Sequence, residues 1–88
     1  MLLEPKMVVH CETIEQAKEF ISEAYKQGFK WGYGYEHETF YNKYKENTVY
    51  MLGSNYIIHY SSLDNLEVLH SVNSTYRECV KFKDLKRG

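Results

Sequence analysis

No stretch of this chain approaches the length of about 20 apolar residues that a membrane-spanning helix requires. The first residues also lack the basic start and long apolar run of a secretory signal. Cysteine is scarce, with only Cys11 and Cys79. They stand far apart, in strand-like runs, where a free cysteine behaves as a small buried apolar residue. The expected protein is therefore reduced and cytoplasmic. Neither the cysteines nor the four histidines (His10, His37, His59, His70) form a CxxC, HxH or HExxH spacing, so no metal and no cofactor are expected. Nucleophile motifs and phosphate loops are missing as well. Gly32-Tyr33-Gly34 is not a dinucleotide fingerprint, because it follows a helical pattern and lacks the third glycine. Glu36-His37-Glu38 could supply an acid and a base, but as a sequence it reads as a polar loop, and a non-enzymatic protein is expected. Strong net charge is the last absence: the formal value is −1. That excludes broad binding to nucleic acid, which needs a basic surface, and equally a mimic of nucleic acid.

The 88 residues suffice for one domain, and 43% hydrophobic with 16% aromatic content supports a folded core. The clearest segment runs from Val8 to Trp31. Met7, Val9 and Cys11 alternate with Val8 and His10, the period of a two-faced strand. Thr13 follows as a helix cap, with Gln16 placed to reach back to it. Ile14, Ala17, Phe20, Ile21 and Ala24 then form one apolar stripe. Gly28 supplies the left-handed stop, and Phe29 closes onto Ala24.

Beyond the stop, residues 29–35 read as an aromatic loop. Thr39 to Tyr44 and Thr48 to Leu52 read as strands, and Gly53-Ser54-Asn55 as a hairpin turn into a strand over Tyr56 to Tyr60. Ser61-Ser62 offers a cap for a short second helix over residues 63–72. Tyr76 to Lys83 alternates like a lysine-guarded edge strand. Residues 1–6 and 84–88 are expected to fray. The expected fold is α+β in the order β-α-β-β-β-α-β: an antiparallel sheet of four to five strands with one main helix on one face.

Seven of the nine tyrosines, with Trp31, Phe29 and Phe40, lie between residues 29 and 60. Phe29, Phe40 and Tyr50 are core candidates; one helix cannot cover every ring. Base stacking on an aromatic side chain contributes roughly 1–3 kcal/mol. Trp31, Tyr33, Tyr35 and Tyr44, with Lys30 or Lys43 for a phosphate, are thus candidate ligand-binding residues for a small nucleotide. A chain this small would enclose such a ligand best between copies, so a homo-oligomer is expected. The charge is also polarised: residues 1–24 carry five acids and two bases, residues 77–88 five bases and two acids. Besides the plain reading of a solvated face and tail, this suggests a head-to-tail contact between copies or a charged ligand. The outer helix face of Glu15, Glu19 and Glu23 is a candidate surface for steering a basic protein partner.

Val9-His10-Cys11-Glu12-Thr13, then Glu15, Ala17, Phe20, Ala24, Gly28-Phe29 and Trp31, then Tyr44-Lys45-Glu46-Asn47-Thr48, resemble short accessory proteins of phages and prophages of Gram-positive bacteria. The resemblance covers residues 7–60 and stops short of the tail from Asn65 onward. It implies a phage protein that counters host defence inside the infected bacterium. Two modes follow as expectations: sequestering a small signalling nucleotide, or docking as an inhibitor on a host protein through exposed aromatics and the acidic face. In the first mode Trp31→Ala should abolish binding and spare the fold.

Overall fold

A computed structural model describes residues 1–32, 34, 37–65 and 76–87. Strand β1 (Val8–His10) leads into helix α1 (Ile14–Lys26). Thr13 caps α1 by accepting from the Gln16 N–H at 3.1 Å. The Gln16 side chain reaches one residue further back than the capping box requires and accepts from the Glu12 N–H at 2.8 Å. At the other end Gly28 sits at φ 97. Its N–H donates to Tyr25 C=O, and the Phe29 N–H donates to Ala24 C=O at 2.9 Å. That pair of bonds is the Schellman stop, satisfying two carbonyls that the helix leaves open.

Strand β2 (Lys30–Trp31) follows, where the sequence suggested only a loop. A single helical turn, α2 (Tyr41–Tyr44), and a 3₁₀ turn (Lys45–Asn47) precede the hairpin of β3 (Thr48–Leu52) and β4 (Ile57–Ser62). A second 3₁₀ turn covers Leu63–Asn65. The rest of the expected second helix lies outside the described residues. Strand β5 (Cys79–Lys81) runs directly into helix α3 (Phe82–Arg87).

The sheet order is β2-β4-β3-β1-β5. β1 pairs antiparallel with β3, as β3 does with β4, whereas β1–β5 and β2–β4 are parallel. Four strands therefore run one way and β3 runs against them. The fold is α+β as expected, but its sheet is mixed, because α1 carries the chain across the sheet and returns it at the far edge in β1's direction. The expected strand over Thr39 to Tyr44 is replaced by α2. Both edges of β3 are taken by β1 and β4, so no place beside it remains. Hydrogen bonds fix the segment instead: the Tyr50 hydroxyl donates to Thr39 C=O, and the Tyr41 hydroxyl donates to Glu12 C=O at 2.7 Å. The expected strand over Tyr76 to Lys83 shortens to three residues, because Phe82 turns its ring into the core against Phe20.

One face of the sheet packs on α1 and α3. Val9, Tyr50, Leu52 and Ile58 from the strands, with Cys11 just past β1, meet Ala17, Phe20, Ile21, Ala24 and Phe82 in one buried cluster. The other face buries Val8, Val49 and Met51 under Leu63 and Tyr76. β3 is therefore buried along its whole length. Residues 1–6, expected to fray, are tied down. Leu3 is buried, and its N–H donates to the Gln27 side chain at 2.8 Å. The Lys6 N–H donates to Leu52 C=O.

Thr48 is fully buried, and its hydroxyl finds no hydrogen-bond partner among the described residues. An unsatisfied buried hydroxyl costs about 1–3 kcal/mol. Thr48→Val keeps the β-branched shape and removes the hydroxyl. It is expected to stabilise the fold by about 1 kcal/mol, read as a rise of roughly 4–8 °C in the thermal midpoint. A lower midpoint would mean that the hydroxyl is satisfied after all.

Candidate functional site

Trp31 ends β2 with its indole facing the core. It is 6% exposed, and its Nε1–H donates to Glu38 C=O at 2.7 Å. Three rings meet it edge-on: Phe40 at 5.0 Å, Tyr60 at 5.8 Å and Tyr50 at 6.2 Å. Phe40 and Tyr60 stack on each other, with centroids 4.9 Å apart and planes within 4°. Phe40 holds φ 52, a left-handed conformation that bulky residues adopt only under constraint. That conformation turns the chain from the loop into α2, which brings the Phe40 ring over Tyr60.

An open cleft of about 480 Å³ lies against this stack, between the end of β2 and the outer edge of β4. It is lined by Trp31, Gly32 and Phe40 and by Ile57–Tyr60 of β4. A second hollow of about 280 Å³ shares Phe40 and Tyr60 and is bordered by Glu38, Asn42 and Lys43 of the loop and α2. Lys43 stands on the exposed side of α2, its Nζ 5.8 Å from the Tyr60 centroid and 5.5 Å from that of Tyr44. A cation over a ring face is held by the ring's quadrupole. The Tyr44 ring lies 6.0 Å from Tyr60. The larger cleft falls within the usual range of small-molecule sites, about 300–1,000 Å³.

Of the residues the sequence singled out, Trp31 lines the larger cleft and Lys43 the smaller hollow, while Tyr44 lines neither and reaches the site only through its ring contact with Tyr60. Lys30 is exposed, sits opposite Ile57 in the β2–β4 pair and lines neither cleft. Tyr33 and Tyr35 lie outside the described residues. Trp31 forms a wall rather than an open stacking plate, so the expectation that Trp31→Ala spares the fold is corrected. Phe40 and Tyr60 were not expected in a site. The readable sign was the alternation in β4, which puts Ile58 and Tyr60 on one face.

Three acids of the first 24 residues meet bases of the tail within the same chain. Glu19 pairs with Lys86 at 2.9 Å, Glu12 with Lys83 at 3.6 Å, and Glu4 with Arg77 at 2.8 Å. Glu23 accepts from the Gln27 side chain at 3.0 Å, and Glu15 lies exposed in the first turn of α1. The polarised charge thus has an intramolecular counterpart, and two of the three residues of the expected steering face are engaged inside the molecule.

Burial pushes the Tyr50 phenol and the Cys11 thiol well above their ordinary values, so both stay neutral. Burial raises the Cys79 thiol too. Cys11 and Cys79 are free and belong to the clusters on opposite faces of the sheet. Among the described residues, no three His, Cys, Asp or Glu side chains come together as a metal site, and no helix is long and apolar enough to cross a membrane. No protein-family model, curated protein or solved structure matches the chain.

Proposed function

We propose that this protein is a non-enzymatic binder that holds a small nucleotide in the cleft beside Phe40 and Tyr60. In line with its resemblance to phage accessory proteins, its task would be to sequester a signalling nucleotide of a host defence system. The observation that carries the reading is the stacked aromatic wall with the Lys43 ammonium poised over Tyr60. A base has a flat polarisable face that suits such a wall, and its phosphate suits a neighbouring ammonium. One lysine matches one or two phosphate charges better than the charge of a triphosphate.

Thermal unfolding against the four ribonucleoside monophosphates and cyclic di-AMP tests this reading. A ligand at a hundred times its dissociation constant adds about 2.7 kcal/mol. In a domain of this size that is a shift of roughly 10–20 °C. Lys43→Ala, at an exposed position, should leave the free protein's midpoint unchanged and weaken binding about 10–100-fold, the loss expected for one charge-assisted hydrogen bond. Recovery of the ligand unaltered separates sequestration from turnover. A flat panel would remove the nucleotide reading and leave the protein-docking mode.

A further inference from the structure

We infer that the main-chain N–H and C=O of Tyr60 read the edge of the bound base, so that the ligand's ring must carry a hydrogen-bond acceptor beside a donor. This rests on the nucleotide reading above and assigns the group that gives it chemical selectivity.

The inference comes from the register. The Gly53 N–H donates to Ile57 C=O at 2.8 Å at the turn, and Leu52 turns its N–H away to Met7 C=O at 2.9 Å, so the residues of β4 that bond to β3 have the parity of Ile57. Met51–His59 and Val49–Ser61 continue that series by alternation. The intervening residues of β4 point their main-chain groups the other way, toward β2. Just before β4, the Tyr56 C=O already points that way and accepts from the Lys30 N–H at 3.1 Å, while its N–H closes the turn on Gly53 C=O at 3.0 Å. Ile58 faces β2 in the same way, opposite Trp31, where β2 ends. Tyr60 is the next residue of that parity. Its N–H and C=O point past the end of β2, along the edge that borders the larger cleft, and no main-chain partner meets them among the described residues.

The length of this edge selects the occupant. After Ser62 the chain turns into the 3₁₀ turn at Leu63, and Ser62 is itself buried. Among the described residues of this parity beyond Tyr56, Ile58 and Ser62 are buried and Tyr60 alone is half-exposed. An added peptide strand needs several such pairs in succession to gain its affinity. A planar heterocycle needs one pair and an aromatic surface beside it, and the Phe40–Tyr60–Trp31 cluster stands beside this one. The bases of nucleic acids each present an acceptor next to a donor.

Amide hydrogen exchange followed by NMR tests this without altering a side chain. In the free protein the Tyr60 amide should exchange about 100-fold faster than the amides of His59 and Ser61, which bond to β3. A slowly exchanging Tyr60 amide would show that the edge is already filled and would overturn the inference. On addition of the four ribonucleoside monophosphates or cyclic di-AMP, the ligand that binds should slow Tyr60 exchange at least about tenfold, the factor one added hydrogen bond supplies. Binding that moves the Lys43 and Phe40 resonances and leaves the Tyr60 amide unchanged would overturn the inference while the nucleotide reading stands. Absence of binding by all five would overturn both. Protection of the Tyr60 amide by an extended Val-Thr peptide, and by no nucleotide, would reassign the edge to strand addition.

Discussion

Trp31→Ala should cost about 3–5 kcal/mol of stability, the range for emptying a large aromatic site in a packed core. Domains of this size are stable by roughly 0.05–0.15 kcal/mol per residue, so this one change removes much of the total. Three losses add up. The indole gives up its buried contacts with Phe40, Tyr50 and Tyr60. The Glu38 carbonyl loses its donor. The Phe40–Tyr60 stack also loses the ring against which both edges rest. Urea denaturation followed by far-ultraviolet circular dichroism is the suitable measurement, because Trp31 is the sole tryptophan and the variant has no indole fluorescence. Trp31→Phe should retain most of the packing and lose chiefly the Nε1–H bond, at about 1 kcal/mol. A Trp31→Ala variant weakened by less than 1 kcal/mol would show that the indole is not a wall of the core. The expected loss makes Trp31 a poor probe of binding, and it moves the functional test to Lys43, which borders the smaller hollow and reaches over Tyr60 from the exposed surface.

The elements legible in the sequence are those whose signals lie within a few residues of each other. Thr13 with Gln16 starts α1, Gly28 with Phe29 ends it, and the stripe from Ile14 to Ala24 buries the face it should. The β3–β4 hairpin is as local: Gly53 sits so close to Asn55 and to Ile57 C=O that a Cβ there would lie 2.7 Å and 3.0 Å from them. The elements that differ from expectation depend on distant strands. Thr39 to Tyr44 has the aromatic and β-branched composition of a strand, yet whether it can pair is decided by β1, which occupies β3's second edge. Likewise Lys30–Trp31 becomes a strand only because Ile57–Ile58 lies beside it. The parallel pairings of β1 with β5 and of β2 with β4 leave no mark on either partner's own residues, so an antiparallel meander was the simpler expectation. The candidate site inherits the same division. Trp31, Lys43 and Tyr44 stood out by residue type, whereas Phe40, His59 and Tyr60 join them through the register and through Phe40's left-handed backbone.

Phe82→Ala should likewise cost about 3–5 kcal/mol, and here sequence and structure give opposite expectations. As part of an edge strand running into a frayed tail, Phe82 would be replaceable at little cost. In the structure it is 1% exposed, opens α3 and meets Phe20 edge-to-face at 6.2 Å. Phe20 in turn stacks on Tyr50 at 5.3 Å, so the ring series runs from α3 through α1 to the central strand β3. The ion pairs beside it are a different kind of contact. Lys83 and Lys86 are both 55% exposed in their pairs with Glu12 and Glu19, and such pairs contribute about 0–1 kcal/mol each. They orient α3 on α1, while burial of Phe82 holds it there. The two contributions separate by salt. About 1 M sodium chloride screens charges beyond roughly 3 Å, so the small losses in Lys83→Ala and Lys86→Ala should vanish there, and the loss in Phe82→Ala should remain. Urea midpoints at low and high salt for the three variants measure this. If Phe82→Ala matched the lysine variants in size and in salt dependence, α3 would be held by charge alone and the tail would fray as the sequence suggested. A large, salt-insensitive loss confined to Phe82 would establish α3 as part of the core that supports β3, and through β3 the strand that carries Tyr60.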